Sequence, residues 1–316
     1  DPVNVPLFQD NITVEVPNMT TPVLIPKPRR ASLDFTTPTP LGGILKFPAG
    51  RFRYWPEFEA AVSRRFTSIP AGKDSLIVTT GGAGGLFTAL DPATGKVKWR
   101  SAELKIQATY GSVAVGDFAG GRQYIVMTQN GAAAVKASDG ATAWQYKREA
   151  DYPDIVAGTP VVTQQGIYIS AGYGGEATLL KPTSNGVETV WSAKEISSNL
   201  GGFVISGKHA YGFHGKRSWA CQDLDNGNVA WTGKRNSLGS GSAILADGKL
   251  IALAEDTGTV AMIQADTAGY KELSRFNLPA ESSTRKTGGR RWTHPVLSDG
   301  HLFLRDQELL FCFKVR

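Results

Sequence analysis

The sequence predicts an all-β fold, a seven-bladed β-propeller of four-stranded blades, on three observations. The first is a short pattern that recurs at fixed offsets: Ala89, Gly95 and Trp99; Ala134, Gly140 and Trp144; Cys221, Gly227 and Trp231. The second is its period. Positions equivalent to Ala89 fall at 44, 89, 134, 180, 221, 263 and 312, a spacing that matches the length of one four-stranded blade. The third is composition: 36 glycines among 316 residues, with short apolar runs bounded by turn residues and few stretches of helical period.

Residues 1–56 hold ten of the 17 prolines, so they suit edges and wrapping arms rather than central strands. Asn11–Val16 alternates like a strand. We expect residues 1–19 to form an N-terminal arm whose strand at about 11–16 closes the ring beside the C-terminal strand, and residues 20–316 to form the propeller. The first unit, 44–55, is a degraded copy with one extra residue before Trp55. The second carries Leu76–Thr80 and then Ala89 to Trp99. The third has 111–115, 123–128 and the Ala134 copy. In the fourth, 159–163, 166–170 and 180–186 lead to Trp191, again one residue late. The fifth includes 202–205, 209–213 and the Cys221 copy. In the sixth, 243–245, 250–253 and 260–263 lead to Phe276 in place of Trp. The seventh gives 295–297, 301–304 and 309–313, one strand short of four, which is the gap the arm fills.

In each complete copy, a glycine at a turn that needs a left-handed backbone separates two strands, the second ending in a large aromatic. This spacing resembles the tryptophan-docking motif of the PQQ-like, quinoprotein-dehydrogenase-type β-propellers, from about Ile44 to Arg316. The resemblance implies that each Trp packs flat between the small residue of the motif and the peptide beside its Gly, so that Trp99, Trp144 and Trp231 are buried between blades. Segments such as 122–126, 270–273 and 301–310 are similar to secreted PQQ-like repeat proteins of planctomycete-type bacteria. Those relatives carry eight blades, against seven units here. More distantly the chain resembles the outer-membrane β-barrel assembly lipoproteins, PQQ-like propellers that work without PQQ.

Net charge is +6 with a pI near 9.2, a surplus spread along the chain that does not call for nucleic acid. No apolar run reaches the ~18 residues of a membrane span. The chain shows no signal peptide, and the resemblance implies an exported protein in its mature form, periplasmic or extracellular. Cys221 and Cys312 both occupy the small position of the motif. Equivalent points in non-adjacent blades lie beyond the ~7 Å reach of a disulfide, so two separate buried thiols are expected, with a redox pair as the alternative.

Catalytic chemistry is hard to find. A PQQ dehydrogenase needs Ca²⁺ held by carboxylate and amide oxygens, and a carboxylate base. The family's alcohol oxidisers add a disulfide between adjacent cysteines, which this sequence lacks, and no Glu, Asn and Asp set matches their metal ligands. His214 and His294 are not at zinc-ligand spacing. Gly81 to Gly85 lacks the Lys-Ser/Thr ending of a phosphate loop and reads as a turn between strands. No catalytic, cofactor or metal residue is assigned.

Up-and-down blades put the loop between the second and third strands on the same face as the loop to the next blade. That rim gathers Lys216, Arg217, Lys234, Arg235, Arg285, Lys286, Arg290, Arg291 and Trp292, together with Tyr173, His214, Glu255, Asp256, His294, Arg305 and Asp306. Glu255 and Asp256 read as solvated turn carboxylates. The 285–292 loop, with glycines between cations and then Trp292, suits a clamp for an anionic group or an acidic partner, or else a solvated surface loop. The expected function is a non-catalytic extracytoplasmic scaffold that binds protein partners through the N-terminal arm or the basic rim. The alternatives are a PQQ- and calcium-dependent oxidoreductase and an anionic-polymer binder.

Overall fold

A computed structural model describes residues 23–25, 69–70, 75–148, 156–172, 175–198, 202–214, 218–235, 237–298 and 300–315. These residues form strands, turns and one 3-10 turn at Gly82–Gly84. No helix among them is long and apolar enough to cross a membrane. The chain divides into two compact units: Pro56–Ser240 with Gln264–Lys271, and Asp1–Trp55 with Gly241–Ile263 and Glu272–Arg316. The predicted first repeat, 44–55, lies outside the described residues.

Along the chain the first described strand is β1 (Val23–Ile25), whose partner comes last. The larger unit follows, with four sheets. They are β2 (Ile69–Pro70), β3 (Leu76–Thr79), β4 (Phe87–Leu90) and β5 (Val97–Arg100); β6 (Ala114–Phe118), β7 (Gly121–Thr128), β8 (Gly131–Lys136) and β9 (Thr142–Lys147); β10 (Val161–Val162), β11 (Ile167–Ser170), β12 (Ala177–Thr183) and β13 (Gly186–Ala193); and β14 (Val204–Ser206), β15 (His209–His214), β16 (Ser218–Asp223) and β17 (Val229–Thr232). In each sheet consecutive strands pair antiparallel, the meander of a propeller blade.

The continuous apolar runs of the middle strands are explained by burial on both faces. Along β7, Tyr124 and Val126 enter one core with Ile77, Phe87 and Leu104, while Ile125 and Met127 enter the next with Ile167, Ile169 and Leu180. Alternation of side chains across a strand sends successive residues to opposite sheets. Tyr168 likewise turns from its Ile neighbours to a third core with Phe203 and Leu224.

The recurring pattern is a β-bulge with a glycine turn. Ala89 faces Trp99 while Leu90 faces Val97, so Lys98 is the extra residue; Ala143 and Ala230 take that place before Trp144 and Trp231. Gly95, Gly140 and Gly227 turn at φ 70°, 75° and 77°. Two equivalences change. Trp191 faces Leu179, not Leu180, with Val190 as the bulged residue. In the sixth repeat the bulge puts Ser274, not Phe276, opposite Met262; Phe276 stands two residues further along the strand and packs on Phe313, ring centroids 4.7 Å apart.

The smaller unit holds β18 (Gly241–Ala246), β19 (Lys249–Ala254), β20 (Thr259–Gln264) and β21 (Glu272–Asn277), then β22 (Val296–Ser298), β23 (His301–Asp306) and β24 (Leu309–Lys314). Ile251, Leu253, Val260, Leu302, Leu304, Phe311 and Phe313 form its core. The fourth strand of the last sheet is β1, with Val23 opposite Cys312 and Ile25 opposite Leu310. An N-terminal strand does complete that sheet, but it is 23–25, and 11–16 lies outside the described residues. Cys221 and Cys312 are free and buried.

Candidate functional site

The motif residues of the larger unit make packing contacts between sheets. A Cβ on Gly140 would lie 2.3 Å from the Trp99 ring, and one on Gly227 would lie 2.8 Å from the Trp191 ring. Trp191 Nε1 donates to Leu224 O at 2.8 Å and Trp231 Nε1 to Asp266 O at 2.7 Å, while Trp144 Nε1 donates within its own sheet, to Gln123 Oε1 at 2.8 Å. Trp144 and Trp231 are buried. Trp99, expected to be buried, is only half-buried, because it stands on the exposed outer strand β5 with one face on Gly140.

The loop predicted as an anion clamp is built differently. It joins β21 to β22 in the smaller unit and meets the turns after β19 and β23, as the up-and-down topology requires. Its arginines are already matched by carboxylates. Arg291, wholly buried, donates Nε to Asp306 Oδ2 at 3.1 Å, Nη2 to Glu281 Oε1 at 3.3 Å and Nη1 to Asp256 O at 2.8 Å. Arg285 pairs with Glu281 at 3.1 Å and lies 3.7 Å from Asp306, while Arg290 pairs with Glu255 and Asp256. Glu255 is therefore a buried member of an ion-pair network, as is Asp306, and not the solvated turn carboxylate expected, whereas Asp256 is exposed. Such burial is tolerable because each charge has an opposite within reach.

Arg291 also covers Gly258: a Cβ there would lie 2.9 Å from its Cζ. Gly258 turns at φ 69° and donates to Ala254 O at 3.0 Å, the same turn that Trp191 covers at Gly227. A planar guanidinium does here what an indole does in the larger unit. Beside it, Glu308 accepts hydrogen bonds from Ser282, Ser283 and Thr284. Burial alone would raise its carboxyl, but the Ser282 and Thr284 hydroxyls, its own backbone N–H and Ser283 outweigh that and hold it at about 2.

Large apolar side chains also lie outside the network. Trp292 is 56% exposed, Val296 54% and Leu297 39%, three large hydrophobic side chains within six residues. Lys286 and His294 are exposed on the same loop. Lys234 and Arg235 are exposed on the larger unit, and His214 is buried there; Tyr173, Lys216 and Arg217 lie outside the described residues. Sequence reasoning missed Glu281, Glu308 and Gly258. A carboxylate four residues before Arg285 was the available signal for the first.

No curated protein matches the chain. Among solved structures it is similar to a europium-containing methanol dehydrogenase (12% identity, 76% of this chain and 60% of that one, TM-score 0.53) and to quinohemoprotein alcohol dehydrogenase from Comamonas testosteroni (14%, 73% and 50%, TM-score 0.53). At these identities the likeness shows the fold. It is also similar to BamB from Moraxella catarrhalis (15%, 78% and 83%, TM-score 0.42). The PQQ_2 family model, described as outer membrane protein assembly factor BamB, matches residues 55–233, more than half of the sequence, and the chain belongs to this family of PQQ-like repeat propellers.

Proposed function

We propose that the protein is a non-catalytic scaffold that binds other proteins outside the cytoplasm, with the Trp292 loop as a contact surface. The observation that carries this reading is the exposed indole of Trp292 beside a network that has neutralised its own arginines, with Val296 and Leu297 also exposed on the strand that follows. Exposed apolar patches mark interaction sites, and Trp is the residue most enriched among binding hot spots. The family description, an assembly factor of the outer membrane, supports both the scaffold role and the location. Because Arg285, Arg290 and Arg291 are paired internally, an apolar contact replaces the anionic clamp, and anionic-polymer binding loses its main residues.

A PQQ- and calcium-dependent oxidoreductase is the rival, favoured by fold likeness to the two dehydrogenases. The smaller unit's carboxylates do not fit that chemistry, since the buried Glu255 and Asp306 are committed to arginines and Glu308 to three hydroxyls. Two measurements decide. Capture of envelope proteins from the source organism should recover a partner with the wild type and lose it with Trp292→Ala; retention by the variant moves the contact elsewhere. Dye-linked alcohol oxidation after adding PQQ and Ca²⁺ should show no turnover, and sustained turnover overturns the scaffold reading.

A further inference from the structure

A second surface lies in the larger unit, at the edge of β13. This strand is last in its sheet. Strand edges present unpaired N–H and C=O groups, and proteins blunt them with Lys, Pro or short length. The outer strands β5, β9 and β21 carry Lys98 and Arg100, Lys147, and Arg275 respectively. By contrast β13 is the longest of the described outer strands, at eight residues, with neither cation nor proline. Its one charge, Glu188, faces Lys181 across the sheet. Val190, the bulged residue, is 47% exposed.

At the C-terminal end of this edge, from Ser192 onward, opens a cleft of about 670 Å³ that reaches to the outer strand of the next sheet, β17, and the turn before it. Its walls include Ser192, Lys194, Glu195, His214, Asn228 and Thr232. The volume falls in the range of ligand cavities, but those are mostly apolar, and this lining is hydroxyl, amide and charge. Many donors and acceptors beside an open strand edge suit a ligand that is itself a row of donors and acceptors. A polypeptide main chain is such a ligand. Lys194 is exposed at one end, with no ion pair among the described residues, and offers a cation to a passing carboxylate.

We propose that the cleft is a peptide-docking site. An extended segment of a partner polypeptide lies along β13 as a fifth strand, uncharged beside Thr189 to Ala193 and acidic where it passes Lys194. Main-chain hydrogen bonds to the edge supply affinity, and the Lys194 contact fixes direction. This surface shares no residue with the Trp292 loop.

The test is selection of random peptides of about ten residues, displayed on phage, against the folded full chain. Enriched peptides should be rich in uncharged β-formers and carry one Asp or Glu at a fixed position. Val190→Lys, an exposed change expected to leave thermal unfolding unaltered, should weaken them roughly tenfold, as a Lys gatekeeper does. Lys194→Glu should reselect for Lys or Arg at the acidic position. Methylating alternate main-chain nitrogens of the best peptide should abolish binding in one register and spare it in the other. Trp292→Ala should leave binding intact, so this site and the Trp292 patch can fail separately. Absence of any enriched peptide, or affinity unmoved by Val190→Lys, overturns the proposal, as does loss with Trp292→Ala.

Discussion

Trp191 rests on the α-carbon of Gly227, its indole N–H bonded to Leu224 O and its ring where a Cβ would otherwise stand. Gly227 is also left-handed, at φ 77°. Gly227→Ala therefore incurs about 1–2 kcal/mol for the backbone and about 1–3 kcal/mol for displacing the indole. Urea unfolding should show the loss. Gly186→Ala gives the contrast: its φ is also positive but nothing lies within 4 Å, so only the backbone part should appear.

Trp144→Ala and Trp231→Ala should each cost ~3–5 kcal/mol, the usual range for a buried aromatic. Trp99→Ala should cost less, because its ring is half-exposed. Equilibrium unfolding of the three variants side by side checks the order, and equal losses would contradict it.

Removing Arg291 leaves Asp306 buried without its strongest partner. Arg291→Ala should destabilise by about 3–5 kcal/mol. Adding Asp306→Ala should recover part of that loss, since the stranded charge goes with it. A double-mutant cycle with no coupling would rule out the pairing.

Acid should loosen the 281–292 loop. The Glu308 carboxyl is held at about 2, below its ordinary 4.5. A depressed carboxylate contributes stability that is fully present above pH 4.5 and lost as pH falls through about 2. The fluorine NMR signal of Trp292 in protein labelled with 5-fluorotryptophan, assigned by its loss in Trp292→Phe, should report release of the loop over that window. Glu308→Gln should flatten the transition.

Burial pushes the Cys221 thiol up to about 11, and burial raises Cys312 as well. Both shifts disfavour the thiolate and both thiols are buried, so iodoacetamide should leave both unmodified in the native state and label both after denaturation. Mass spectrometry counts the adducts.

Much of this fold was legible because the repeat is a local device. A bulge and a left-handed glycine fix Ala89 against Trp99 through contacts within one hairpin, so the pattern survives in sequence. Where the aromatic is not at its offset the reading slipped: Phe276 was matched by type, but the bulge in β21 puts Ser274 in that place. The 285–292 loop was found, and its chemistry was not. Arg291 looks free in sequence, because the carboxylates that neutralise it come from the turns at 255–256 and 306 as well as from Glu281. Local spacing cannot encode such partners. The strand that pairs with β24, 23–25, was not singled out in the sequence for a related reason, since the alternation at 11–16 marks a strand but does not name its neighbour.

Pairing of β1 with β24 has a temporal side. Val23 and Cys312 are roughly 290 positions apart, and closing so long a loop comes late and slowly. During synthesis the edge of β24 cannot be covered until residues 309–314 have left the ribosome, and β1 must wait for its partner until then. Completion of this sheet thus waits on a strand made about 290 residues later, and a nascent chain stalled before residue 309 should leave β1 available to a chaperone or to another copy.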